Sequence, residues 1–428
     1  MFDTKALTSI DPLADEAKLI AMIADLERIK SAAAAGQARA TAALDERRRA
    51  AEAAAGVPAK QRGRGVSSEV ALARRDSPSC GNRHLGIAKA LVHEMPYTLA
   101  ALECGALSEW RATLIVRESA CLSVEDRRTL DTEMCADSAN LEGKGNNRIA
   151  ADAKAIACQL DVRSVVERAA KAEADRNVTC RPAPDAMTYV TALLPVKEGV
   201  SVYAALKRAA DTTFDNRSQG QVMADTLLER VTGRPAEVPE PIAVNLVMTD
   251  QTLLGGDNCP AVIDGYGAVP AEIARRMVSS AVGDERSKAT LRRLYRHPKS
   301  SALVAMESRS RCFPKGLAKF IGLRDQTCRT PYCDARIRHR DHAVPRSRGG
   351  PTHALNGLGM CAHCNYTKES PGWEVRTCEE DGVHAAEFVT PTGAHYRSTA
   401  PPLPGAPMIT VSDVELRIGV ELADLHAA

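Results

Sequence analysis

Aromatic residues are scarce, 4% of 428, which argues against a β-rich sandwich cored on rings, and alanine is abundant in their place. No run of about 18 uninterrupted apolar residues occurs, so no membrane span is expected. The start of the chain, Met1 to Lys18, lacks both a basic stretch and an apolar signal core, and we expect a cytoplasmic protein with no membrane partner. Charge of one sign is also lacking overall: 56 Lys and Arg stand against 54 Asp and Glu, a net charge of +2. Thirteen cysteines are an odd number without framework spacing, so we expect reduced thiols in which a tight Cys pair is a metal candidate. No G-x-x-x-x-G-K-[ST] pattern is present, and the turns at Gly255-Gly256-Asp257-Asn258 and Val262 to Gly267 read as loops, which leaves no nucleotide site.

What is present is mostly helical pattern. From Asp11-Pro12 to Ala55 the chain reads as one long helix or a bent pair, with a capping Asp and Pro at the first helical position. Its stripe of Leu19, Met22, Ile23, Leu26 and Ile29 needs a partner, either the next helices or a second copy of the chain. The Ala-rich second half, through Asp45 to Arg49, looks solvated on most faces. A basic linker, Lys60 to Gly65, follows. Ser67 to Arg75 and Asn82 to Val92 flank a Ser77-Pro78-Ser79-Cys80-Gly81 turn and resemble a helix-turn-helix, a pattern that ordinary αα-hairpins share. Strands are expected at Met187 to Leu194 and at Ala243 to Thr249, after a proline-rich break at Pro235 to Pro241. Pro314 opens a short helix in which Leu317, Phe320 and Ile321 share a face.

The composition changes sharply after Thr327. Six of the ten histidines lie between His339 and His395, and four cysteines stand as Cys328-x4-Cys333 and Cys361-x2-Cys364. Residues 311–376 carry twelve Lys or Arg against five Asp or Glu, a local balance of +7 that leaves −5 for the remainder. That is the footprint of a module meeting a polyanion, since each cation neutralising a phosphate releases a counterion. Two cysteine pairs on short turns can set four thiolates tetrahedrally around a structural Zn²⁺, with no open position for substrate. His363 is a substitute ligand that the four sulfurs make unnecessary.

Between the pairs lies His339-Arg340-Asp341-His342, then Pro345, Gly349-Gly350 and Asn356; after them come Asn365 and Lys368. This pattern closely resembles the HNH endonuclease family with its ββα-metal fold. The resemblance implies that His342 is the general base activating water, that Asp341 and Asn365 ligate a catalytic Mg²⁺ or Mn²⁺, and that Asn356 ties the loop to the strand carrying His342. It also implies that Arg336, Arg338, Arg346, Arg348 and Lys368 meet DNA phosphates; His353 and His363 stay unassigned. Taken singly, Asp341 beside Arg340 also reads as a surface ion pair and Asn365 as a helix cap. Asn365 stands where many members have His, which favours an oxygen ligand for a hard cation. Gly357 stands where an apolar residue is usual, which removes a packing anchor beneath the loop. More weakly, the long helical region, Gly265-Tyr266-Gly267 and the tail Phe388 to Tyr396 resemble actinobacterial HNH proteins with a helical domain of unknown function.

The expected architecture is a mainly α N-terminal domain with an α/β connecting segment and a C-terminal α+β ββα-metal (HNH), zinc-stabilised module. The divisions are a long helix and linker at 1–65, a helical domain at 66–235, the connecting segment at 236–310, the nuclease module at 311–400 and a proline-rich tail at 401–428 with a helix from Val411 to His426. The expected function is metal-dependent hydrolysis of DNA phosphodiesters, with homodimerisation through the N-terminal helices. The alternative is a zinc-stabilised DNA-binding or regulatory module without cleavage.

Overall fold

The computed structural model describes residues 5–235, 246–254, 256–263, 266–283 and 313–403. The expected helix at Val411 to His426, the start of the strand at Ala243, and Gly255 and Gly265 lie outside them. The chain divides into two compact units, Met1–Ala174 and Asp175–Ala428.

The first unit is helical: α1 (Lys5–Thr8), α2 (Glu16–Ala54), α3 (Val66–Arg74), α4 (Pro78–His93), α5 (Pro96–Glu103), α6 (Glu109–Glu118), α7 (Val124–Cys135), α8 (Asn146–Leu160) and α9 (Val162–Ala174). The long helix starts later than its sequence suggests. Asp15 caps it, its side chain accepting from the Lys18 N–H, while Asp11 closes the preceding turn on Leu13. The halves of α2 reverse the expected exposure. Ala34, Ala35, Ala38 and Ala42 of the second half are buried, because small side chains let α4 and α5 approach closely, whereas in the first half Leu19, Ile23 and Ile29 of the aliphatic stripe are exposed and Met22 and Leu26 half-buried. Inside that packing Asp45 is held by Arg49 and Lys89, and Glu69 by Arg48. The basic linker is folded back onto α2, with the Gly63 N–H donated to Glu52.

α4 runs through the segment expected to be a turn, because Ser77 and Pro78 act as its start signals. Gly81 permits the crossing with α3: a Cβ there would lie 2.1 Å from the Ser67 carbonyl oxygen. The core joins Leu91, Met95, Leu102, Leu107, Ile115, Leu130 and Ile149. Buried Asp131 of α7 accepts from the Tyr97 and Thr98 N–H groups and from the Thr98 hydroxyl, so it caps α5 from another helix.

The second unit opens with a hairpin, β1 (Asn177–Ala183) and β2 (Met187–Leu193), turned at Asp185 and Ala186, both with positive φ. β2 matches its expected strand, but β1 lies in a stretch read as helical. Next come α10 (Val196–Asp211), α11 (Gln219–Thr232), β3 (Leu246–Val247), α12 (Asp250–Leu254), β4 (Ala261–Ile263), β5 (Gly267–Val269) and α13 (Ala271–Gly283), with strands β3-β4-β5 forming an antiparallel sheet. The described C-terminal part holds α14 (Lys315–Asp325), β6 (His339–His342), β7 (Gly357–Met360), α15 (Ala362–Thr367), β8 (Glu374–Glu380), β9 (Val383–Val389) and β10 (His395–Thr399). β6 pairs antiparallel with β7, and β8 to β10 form a separate antiparallel meander. A helical N-terminal region, small antiparallel sheets and a C-terminal α+β region are thus the observed classes. Among the described residues, no helix is long and apolar enough to cross a membrane.

Candidate functional site

The four cysteines come together. The Sγ atoms of Cys328, Cys333, Cys361 and Cys364 all lie within 4.8 Å of one another, and all four residues are buried. Two turns bring them there. The Cys328 N–H donates to the Ala335 carbonyl and the Cys333 N–H to that of Thr330, with Tyr332 at a φ of 62° between them. On the other side Cys361 caps α15, its Sγ accepting from the Cys364 N–H. Cys333 Sγ and Cys361 Sγ stand 3.9 Å apart, close to the edge of about 3.8 Å that a tetrahedral ZnS₄ unit requires at Zn–S distances near 2.3 Å. The donor set therefore fits a metal ion of that kind. Crowding polarises the thiols: hydrogen bonds led by that from Cys328 drive Cys361 far below an ordinary thiol, and the bond with Cys328 drives Cys364 far above one. Leu358, Met360, Val375, Ala386 and Phe388 pack around the cluster.

Next to it, β6 presents Asp341 to α15. The Asp341 carboxylate accepts from the His342 N–H at 2.9 Å and pairs with Lys368 Nζ at 3.1 Å. Burial would raise its pKa, but the Lys368 ammonium, the His342 N–H and the Asn365 side chain outweigh it and hold the carboxyl below its usual range. Asn365 is buried on α15, and its Oδ1 is enclosed without a hydrogen-bond partner. That orphaned oxygen near a carboxylate suits a hard, oxygen-preferring cation. His342 is also buried; its Nε2 lies 2.9 Å from Thr352 Oγ1, its Nδ1 3.5 Å from Asp341 Oδ1, and its ring meets Phe313 at 4.6 Å. The Thr352 hydroxyl can either donate to Nε2 or accept from it, so this contact orients the ring.

Asn356 works on backbone alone. Its Oδ1 accepts from the Val344 N–H, and its Nδ2 donates to the carbonyls of Val344 and Pro351, which staples the 343–351 loop to the strand end. Gly357 is not a missing anchor: a Cβ there would lie 2.4 Å from Ile321 Cδ1 and 3.0 Å from Phe313. Side chains from α14 and its leader fill the place instead.

Of the expected phosphate contacts, Arg336, Arg338, Arg346 and Arg348 are exposed, with Arg336 stacked over Tyr266. Lys368 is not on that surface. Its side chain is buried between Asp341 and Glu369, because the turn of helix after Asn365 aims it at β6. His363 is outside the four-sulfur group, and His353 Nδ1 accepts from the Leu355 N–H.

Several supporting residues gave no signal in the sequence. Arg324 forks onto Asp325 at 2.7 and 3.0 Å and donates to the carbonyls of Ala354 and Gly357, while Asp325 accepts from the Gly359 N–H. Arg329 reaches the carbonyls of His384 and Ser398. This buried charge network ties α14 to β7 and to the meander. His384 Nε2 lies 2.8 Å from the Leu355 carbonyl, and burial, with Arg324 and Arg329 adding to it, pushes its pKa down to about 4. Only Thr352, inside the motif loop, lay where a search for a histidine partner would look.

No curated protein and no solved structure matches the chain. A family model described as a domain of unknown function, DUF222, matches residues 26–325, and the chain belongs to that family.

Proposed function

We propose that the C-terminal module is a zinc-stabilised HNH endonuclease that hydrolyses DNA phosphodiester bonds with a divalent cation, acting in the cytoplasm. The observation that carries this reading is the meeting of Asp341, His342 and Asn365 beside the four-cysteine cluster. Zinc in that cluster is structural, because four sulfurs close its shell. Asp341 and Asn365 Oδ1 would hold the second cation. When bound, Mg²⁺ or Mn²⁺ supplies charge stabilisation at the phosphate and the leaving 3′ oxygen. The His342 imidazole takes the proton of the attacking water; the new P–O bond forms as the P–O3′ bond breaks, and solvent protonates the leaving oxygen. Thr352 and Phe313 hold the ring in place, and Asn356 the loop. Exposed Arg336, Arg338, Arg346 and Arg348 offer cations to the backbone.

One observation favours a second reading, a DNA-binding module without cleavage: Lys368 already neutralises Asp341. The two readings separate on supercoiled plasmid. We expect metal-stripped protein that retains zinc to cut when Mg²⁺ or Mn²⁺ is restored, and His342→Ala with unchanged zinc content to lose roughly 100-fold or more in rate. Binding without cutting under every metal would overturn the nuclease and leave the binding module.

A further inference from the structure

The first half of α2 poses a problem that the rest of its unit does not solve. Ser31 is the first buried residue of this 39-residue helix, so Glu16 to Lys30 runs for about 22 Å at 1.5 Å per residue before the helix enters the core, with the Gly105 turn packed on Arg28 near its end. Along this overhang Leu19, Met22, Leu26 and Ile29 follow spacings of three, four and three, the a and d positions of two heptads. Of its flanking and facing residues Ile23 is 62% exposed, Ile29 44% and Leu19 37%, while Met22 and Leu26 are half-buried. A helix of this length gains too little from its own hydrogen bonds to hold such a stripe in water.

We propose that this stripe is a homodimer interface, in which the overhang of one α2 packs antiparallel against the same segment of a second copy. The flanking residues select both occupant and direction. With Leu19 and Leu26 at a, and Met22 and Ile29 at d, the e positions are Glu16, Ile23 and Lys30, and the g positions include Lys18 and Asp25. In an antiparallel pair Leu19 layers on the partner's Ile29 and Met22 on the partner's Leu26. The e flanks then face each other: Ile23 meets the partner's Ile23 on the two-fold axis, and Glu16 meets the partner's Lys30 twice. A parallel pair instead sets Ile23 against the partner's Lys18. Direction also follows from continuity. The helix runs straight into its core at Ser31, so a parallel partner would bring two globular cores to the same end of the stripe, whereas an antiparallel one sets them at opposite ends. Asp25 approaches the partner's Asp25, but each is paired with Arg28 on its own helix. The interface lies wholly within the helical unit and does not depend on the nuclease reading.

The test is sedimentation velocity on the full-length protein over a concentration series, with reduced and oxidised samples of Ile23→Cys. The expected result is a monomer–dimer equilibrium that Ile23→Asp weakens at least roughly tenfold. Ala24→Asp, on the opposite side of the same helix, should leave it unchanged, with helical circular dichroism equal for both variants. Ile23→Cys should oxidise to a covalent dimer, since only the antiparallel arrangement brings the two e positions together. A chain that stays monomeric at every concentration overturns the proposal and means that the stripe is covered by the same chain or by another protein. A dimer indifferent to Ile23→Asp overturns the surface, and a dimer sensitive to it but without the Ile23→Cys crosslink overturns the antiparallel direction.

Discussion

Where the helical unit packs Leu91, Leu102, Ile115, Leu130 and Ile149 against one another, the C-terminal module packs Leu358, Met360 and Phe388 around four thiols and backs them with Arg324, Asp325 and Arg329. The first unit is held by non-directional apolar burial that tolerates small shifts. The second depends on a few directional links, each of which leaves charges or sulfurs stranded when broken. Cohesion by hydrocarbon suits a scaffold, and cohesion by a thiol cluster and buried charge suits a small module that must keep polar groups inside.

Removing the metal should open the widest gap between the two regions. The two tryptophans report on them separately: Trp110, half exposed, lies in the helical unit, and Trp373, 3% exposed, in the module. In a Trp110→Phe protein, chelation or Cys361→Ser is expected to unfold the module and shift Trp373 emission to the red, since structural zinc contributes on the order of 10 kcal/mol to such folds. Helical circular dichroism from the first unit should persist. A Trp373 spectrum indifferent to complete zinc removal would mean that the cluster is not what holds the module.

A smaller effect comes from paired substitutions. Asp325→Ala strands two buried guanidinium groups and should cost about 3–5 kcal/mol. Leu130→Ala leaves a cavity in the helical core and should cost about 2–5 kcal/mol. Each should lower the thermal transition of its own region only, as read by calorimetry with Trp373 emission as the module's marker. Equal lowering of both transitions by either variant would erase the distinction drawn above.

Acid should discriminate more gently. His384 is held near pKa 4 when folded, against an ordinary 6.5, so below about 6.5 the unfolded chain gains a proton that the folded one refuses. Module stability is then full above that pH and falls by about 3 kcal/mol as pH drops toward 4. His384→Gln, which keeps a donor for the Leu355 carbonyl, should flatten that slope in urea titrations at stepped pH; an unaltered slope would assign the acid sensitivity to another group.

Much of the site was legible because ligand chemistry fixes spacing: Cys328, Cys333, Cys361 and Cys364 could be grouped from their short turns, and Asp341, His342 and Asn365 from the motif around them. Lys368 was misjudged because charge content does not say which way a helical side chain points. Arg324-Asp325 looked like the end of an amphipathic helix, since a buried fork between adjacent residues leaves no periodic trace. In the fold, the second half of α2 misled for a physical reason. Alanine has low hydrophobicity per residue, yet it buries completely where helices cross closely, whereas the stripe that looked most like a core leaves Leu19, Ile23 and Ile29 exposed.

The bare side of β7 carries one more consequence. Gly357 and Gly359 leave that side without side chains, so α14 grips the strand by its peptide groups, the Gly357 carbonyl and the Gly359 N–H. A slip of one residue would drive Leu358 into Ile321 and break both grips at once. Since His342 pairs with Gly357 and Asp341 with Leu358, the same clamp sets where the candidate base and carboxylate stand along the strand. α14 thus serves as an alignment gauge for a site that none of its own side chains enters.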